Sequence, residues 1–412
     1  MMRLNQFSKK YQYVYDNLFQ SHSKLKQDFF GSAPAPFVGR FGYPNINVGI
    51  LSPSEINKEA WKFDAPEYWS ETNHKIKDVL GYRANLVNSK FKANVTDARK
   101  SNKGSSINSI TNSATISTFE PNKHLQTTQE VALSLKPVDI EISLEKVPFF
   151  NISYGQEITP MGTSATIKKA FLTENPQIKP AIEKVYSDTD LKSVEAINYL
   201  YNKGFTTNYL SEILSVGTLG TKNGRKLVPT RWSITATDDI IGKNLIEEVK
   251  SNSNKTNYCA FFGGYMSNYY LILFFPDVFS YELFEVDLKS KGVWTDYEFY
   301  GGRKEYASNC IGGYYTVRLA VCEKLKELKK QGTVLALRFT TPDYDVPMGV
   351  WVTREASRKS LKSKPLEFAS KLDLLNYSKS LIKTKFGYDV DWIFKSSKVL
   401  DWMGNQRKLG EY

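Results

Sequence analysis

Polar and apolar residues alternate with period two in VDIEISLEKV. Val138, Ile140, Ile142 and Leu144 face one way, and Asp139, Glu141, Ser143 and Glu145 the other, which predicts a strand with one buried face. A second alternating run begins at Leu227. Val228, Thr230, Trp232, Ile234 and Ala236 share one face, while Pro229, Arg231, Ser233, Thr235 and Thr237 share the other. That spacing predicts a strand over 227–238, with Asp238 and Asp239 as cap and first-turn residues of a helix over 240–251. Residues 258–276 and 281–300, dense in Tyr and Phe and broken by Gly and Pro, read as several strands whose aromatics suit a packed core. Residues 333–339 read as a short buried strand.

Helical spacing appears over 11–30, over most of 164–214 with a break near Gly204, and in the stripe Val317, Ala320, Val321, Leu325 and Leu328, which Gly332 stops. Another helix is predicted over 350–359. The stretch 98–127 is poor in large apolar groups and rich in Ser, Thr and Asn, and reads as a loop or flexible insertion. Because the strands cluster instead of alternating regularly with helices, the expected fold is α+β. It would hold a mixed or largely antiparallel central sheet flanked by helices, with a helical C-terminal region. The expected organisation is an N-terminal helix and Gly/Pro-rich loop (1–55), a strand-containing region with the insertion (56–160), a central α/β core (161–345), a basic helical region (346–405) and a short tail (406–412).

Composition narrows the function classes. The 412 residues carry 55 Lys and Arg against 43 Asp and Glu, a net charge of +12, which favours a polyanionic partner. The surplus is uneven, since residues 351–412 hold 13 basic and 7 acidic side chains. No apolar run of membrane-spanning length or secretory signal is present, so the expected location is cytoplasmic, without a membrane partner. Three cysteines without metal or redox spacing and three histidines, all before residue 125, predict neither a zinc site nor a histidine-centred catalytic site. Nothing in the chain points to a particular cofactor.

Candidate chemistry gathers around arginine. The segment SVGTLGTKNGRKLVPTRWSITATDD (215–239) sets a turn at Asn223 and Gly224, from which Lys222, Arg225 and Lys226 would project as an anion contact or as ordinary turn residues. Arg231 shares the polar face of the predicted strand with three hydroxyls. Arg40 stands between Gly39 and Phe41, where the glycines predict close backbone approach to another strand or to a ligand. Arg354 and Arg358 lie one helical turn apart beside Glu355, as a phosphate grip or a local ion network. The helix start after Gly312 and Gly313 could hold a phosphate or stand empty.

The segment GTKNGRKLVPTRWSITATDD resembles the central signature of the archaeal Nre family of DNA-repair proteins. Four further blocks agree in order: GSAPAPFVGRFGYPNINVGILSP, VALSLKPVDIEISLEKVP, GGYYTVRLAVCEKL and PMGVWVTREASRKS. The resemblance runs from about Gly31 onward and implies a DNA-repair role with contact to the sliding clamp PCNA. The chain departs from many members in lacking an N-terminal cysteine-rich zinc segment, since no cysteine precedes Cys259.

Gln406, Leu409 and Tyr412 stand at positions 1, 4 and 7 of QRKLGEY, the spacing of a clamp-binding peptide with one aromatic anchor. Two functions compete. In the first, the chain binds DNA through Arg40, Lys222, Arg225, Lys226, Arg231, Arg354 and Arg358 and is recruited to PCNA by its tail. In the second it is an enzyme acting on a nucleotide or on DNA, with the arginines on phosphate and Asp238, Asp239 or Glu355 supplying acid-base or metal-binding oxygen. RNA is a third possible partner.

Overall fold

The computed structural model describes residues 25–101, 121–155 and 158–405. Most of the expected first helix, the core of the 98–127 insertion and the tail with Gln406, Leu409 and Tyr412 lie outside the described residues. The chain divides into two units, residues 1–240 with 346–349, and residues 241–345 with 350–412.

The first unit is built on β1 (Asp28–Ala33), β2 (Ala35–Val38), β3 (Asn45–Ser52), β4 (Val87–Asn94) and β5 (Val138–Leu144). The short pair β6 (Ser153–Gly155) and β7 (Ile158–Met161) precedes β8 (Ser164–Leu172). Six of these form one sheet in the order β1-β5-β8-β4-β3-β2, parallel only between β4 and β8. The alternation of β5 is realised, with Val138, Ile140, Ile142 and Leu144 buried. Helices α1 (Pro66–Glu71), α2 (Ile76–Ala84), α3 (Pro121–Leu133), α4 (Pro180–Ser187), α5 (Ser193–Asn202) and α6 (Thr207–Ser215) belong to this unit, as do the short helical turn Ala98–Ser101 and the first half of α7 (Thr230–Lys250). Helix α3 crosses β2, β3, β4 and β8 on the face where Phe91 and Ala93 are buried.

Several local expectations are corrected here. Residues 28–30, assigned to the first helix, begin β1, because pairing with β5 outweighs local helical spacing. Residues 164–172, read as helical, form β8 for the same reason. Residues 121–127, placed in the insertion, start α3. The predicted strand over 227–238 is the beginning of a 21-residue helix, α7. The Pro229 carbonyl accepts from the amides of Trp232 (2.7 Å) and Ser233 (2.9 Å) and so caps it. Ile234, Asp238, Ile241, Leu245 and Val249 are all buried and recur every three or four residues, the helical period that the short β-branched alternation concealed. Asp238 and Asp239 are therefore mid-helix residues and not caps.

The second unit holds the expected strand-rich heart: β9 (Tyr258–Tyr265), β10 (Asn268–Phe275), β11 (Ser280–Asp287), β12 (Val293–Glu298), β13 (Thr333–Thr340) and β14 (Leu366–Phe368). Their order is β12-β11-β13-β10-β9-β14, parallel only between β11 and β13. Helices α8 (Tyr314–Leu328) and α9 (Trp351–Leu361) belong to one face, where a Cβ on Gly263 would stand 2.9 Å from the Ser360 backbone. Helices α10 (Lys371–Phe386), α11 (Asp391–Ser396) and α12 (Lys398–Asn405) cover the other. There Leu271, Leu273, Leu335 and Leu337 pack with Leu374, Ile382, Ile393 and Val399. Two mixed sheets flanked by helices, with helices at the C-terminal side, make the fold α+β as expected.

Candidate nucleic-acid interface

The hairpin between β2 and β3 lifts Phe41, Gly42 and Tyr43 into solvent on a fixed frame, with Arg40 half-buried beside them. The Gly39 amide donates to the Asn47 carbonyl (2.8 Å), the Asn45 amide to the Gly42 carbonyl (2.8 Å), and the Val95 amide to the Pro44 carbonyl (3.0 Å). Gly42 takes φ +86°, and a Cβ there would meet the Asn45 carbonyl oxygen at 2.8 Å, so only glycine closes this turn without strain. The start of α7 is tied to the same place. Thr230 Oγ1 accepts from the Val38 amide at 2.9 Å, and the Val228 amide donates to the Ser215 carbonyl at 2.8 Å.

Three aromatic side chains stand out on this frame. Phe41 is 72% exposed, Tyr43 55% and Trp232 45%. The Tyr43 and Trp232 rings lie 5.9 Å apart and tilted by 54°, and the Arg40 guanidinium lies 5.2 Å from the centre of the Phe41 ring. The sheet continues the surface. In register with Asn45 and Asn47 stand Asn94 and Lys92, and Asn94 Nδ2 donates to Asn45 Oδ1 at 2.9 Å. Lys92 Nζ lies 4.0 Å from where a Cβ on Gly42 would stand, and Lys90 Nζ donates to Ser164 Oγ at 3.2 Å. Alternation in β4 turns Lys90 and Lys92 away from buried Phe91 and Ala93. The result is a rigid surface of rings beside cations, able to stack on flat groups and to neutralise phosphates.

The predicted site residues divide sharply. Arg40, Arg231 and the exposed Lys222 and Lys226 remain in or near solvent. Arg225 is a correction, because it does not project from the turn but is 1% exposed. Its Nε donates to the Gly220 carbonyl (2.9 Å), and its Nη2 to the carbonyls of Tyr186 (2.6 Å) and Asp188 (3.2 Å). Burial lowers its pKa, with Tyr186 and Asp188 opposing that change. The positive φ values of this segment fall at Gly217 and Gly220 and not at Asn223 or Gly224.

In the second unit Arg354 is fully buried, with Nε 3.3 Å from Glu355 Oε1. Arg358 donates to Glu355 at 2.9 Å and to Glu323 at 2.6 and 2.8 Å. Of the two readings of these residues, the geometry presents the ion network. Asp238 is wholly buried in α7 and Asp239 half-buried. The α8 start beside Gly313 is also filled from within: Glu285 Oε2 accepts from the Ile311 amide at 2.6 Å while Oε1 accepts from Arg338 at 2.6 Å. A protein carboxylate thus stands where a phosphate had been considered.

Sequence reasoning missed Phe41, Tyr43, Trp232, Lys90 and Lys92. The signal for the lysines was the alternation of β4, whereas an exposed aromatic carries no mark in sequence that separates it from a buried one. Among the described residues, no group of three or more His, Cys, Asp and Glu side chains is placed to hold a metal ion. Among them, too, no helix is long and apolar enough to cross a membrane.

Comparison with known proteins covers nearly the whole chain. Residues 11–295 match the family model described as archaeal Nre, N-terminal, and residues 298–412 match archaeal Nre, C-terminal. The DNA repair protein NreB of Archaeoglobus fulgidus is 35% identical over 399 residues, 94% of this chain and 93% of that protein. The DNA repair protein NreA of the same organism is 35% identical over 86% of this chain and 85% of its own length. NreA of Haloferax volcanii is 33% identical over 81% and 77%. No solved structure matches the chain. With both halves matched in order and a third of positions shared end to end, the chain belongs to the archaeal Nre family.

Proposed function

We propose that this protein acts in DNA repair by binding nucleic acid at the hairpin surface of its first unit and by docking on the sliding clamp PCNA through Gln406, Leu409 and Tyr412. The observation that carries the DNA-binding part is the exposure of Phe41, Tyr43 and Trp232 beside Arg40 and Lys92 on a hydrogen-bonded frame. The net charge of +12 supports it, as does similarity to relatives named as DNA repair proteins. Lys222, Lys226 and Arg231 extend the cationic contribution. Clamp docking rests on the 1-4-7 spacing of the tail and on family resemblance. The enzyme reading has less behind it, because Glu355 is engaged by two arginines and Asp238 is buried within its helix.

DNA affinity measured across a salt series tests the first part. Binding should weaken steeply, with a log-log slope of about −0.7 to −0.9 per phosphate neutralised. No measurable binding at low salt would overturn it. For the second part, the double substitution Leu409→Ala, Tyr412→Ala should abolish clamp binding while DNA affinity stays constant; unchanged clamp binding would remove the tail from the mechanism.

A further inference from the structure

We propose that the hairpin surface is selective for unpaired bases, so that its ligand is single-stranded DNA and not intact duplex. This rests on the DNA-binding reading above and sharpens it to a substrate class. Duplex DNA offers its phosphates and groove edges to a protein, but its base faces are covered by their neighbours. Exposed ring faces gain nothing from such a ligand. They gain from bases that have left the stack, whose flat surfaces are free.

The geometry suits that use. Phe41 and Tyr43 in the hairpin loop and Trp232 at the start of α7 expose about half or more of their surface, a large apolar cost in water for segments that backbone hydrogen bonds hold firmly in place. Tyr43 and Trp232 are tilted by 54°, so they form no parallel slot that would clamp one base between two planes. They offer successive outer faces instead, and the Arg40 guanidinium already lies against Phe41. Lys90 and Lys92 follow on the adjoining strand two residues apart, roughly 6.8 Å along β4, a separation suited to neighbouring phosphates of an extended strand. A track of ring faces flanked by a short row of ammonium groups matches one strand, with bases on one side and backbone on the other.

Fluorescence anisotropy with labelled oligothymidylate, a duplex of equal length and oligouridylate tests this in the full-length chain. The wild type should bind oligothymidylate at least tenfold more tightly than the duplex. Phe41→Ala, Tyr43→Ala, Trp232→Ala together should cost at least tenfold in single-strand affinity with an unchanged salt slope, while duplex binding stays constant. Lys90→Gln, Lys92→Gln should instead reduce the salt slope by about 1.4, two phosphates at about 0.7 each. Equal binding of both DNA forms by a wild type that the triple variant matches would overturn the proposal and leave DNA binding standing. A wild type that binds none of the probes would overturn the functional reading itself. Tenfold preference for oligouridylate would reassign the surface to RNA.

If the triple variant is misfolded by its melting transition, photocrosslinking of the wild type to a bromodeoxyuridine oligonucleotide decides. Crosslinks at Tyr43 or Trp232 support the track, and crosslinks confined to other peptides overturn it.

Discussion

Arginine plays opposite parts at the hairpin of the first unit and around the sheet of the second. At the hairpin of the first unit Arg40 lies against an exposed ring beside exposed lysine and aromatic groups. In the second unit Arg318, Arg338 and Arg354 are buried among carboxylates carried by the strands and helices themselves. Arg318 donates to Glu298 at 3.3 Å, Arg338 pairs with Glu285 at 2.6 Å, and Arg303, less buried, reaches Asp296 at 2.8 Å. Burial opposes the charge on Arg338, yet Tyr270 and Glu285 outweigh it and hold its pKa above the ordinary value. Basic residues alone therefore do not mark a binding surface. What marks the arginines of the second region as structural is their burial against carboxylates that the protein itself supplies.

The comparison can be tested from its buried side first. Arg338→Ala should remove about 3–5 kcal/mol of stability, because it leaves the carboxylate of Glu285 buried without its partner. Denaturant unfolding would measure this, and a change below about 1 kcal/mol would mean that water takes the arginine's place. Arg225→Ala should follow at about 2–4 kcal/mol, since three backbone carbonyls lose a donor. That loss would appear with the exposed hairpin chemistry untouched.

Glu130 gives the comparison a pH axis. Burial pushes its carboxyl up to about 7. With a folded pKa above the unfolded one, the native state binds the extra proton, so the stabilisation is present below about pH 4.5 and is lost as pH rises through about 7. At most about 3 kcal/mol is at stake. Glu130→Gln should flatten the stability profile between those limits, and an unchanged profile would place the titration elsewhere. Thr230→Val should cost about 1 kcal/mol by removing the acceptor of the Val38 amide. Smallest of all, Phe41→Ala and Trp232→Ala should each change stability by less than about 0.5 kcal/mol, as exposed groups do. A large loss there would identify these rings as structural.

How much could be read in the sequence follows the same division. The α+β class, β5, β13 and the strand-rich heart were legible because burial of one or both faces leaves a pattern or an aromatic run. Helix α7 was misread because ten residues of β-branched alternation fit either period, and only its full length separates them. Arg40 was legible through its flanking glycines and its position in a recognised block. Arg225 and Arg354 were not separable from surface arginines, because what decides their burial is packing against distant segments; Tyr186, 39 positions away from Arg225, supplies one of its acceptors. The exposed rings of Phe41, Tyr43 and Trp232 were invisible for the converse reason, since exposure leaves no periodic trace.

Glu285 and Gly313 illustrate how such a network constrains change over time. A Cβ on Gly313 would stand 2.3 Å from Glu285 Oε1, so position 313 cannot gain a side chain while 285 keeps its carboxylate in place. Substitution at one should be accepted only after substitution at the other, with Arg338 close behind. Across relatives, these three positions should covary as a set.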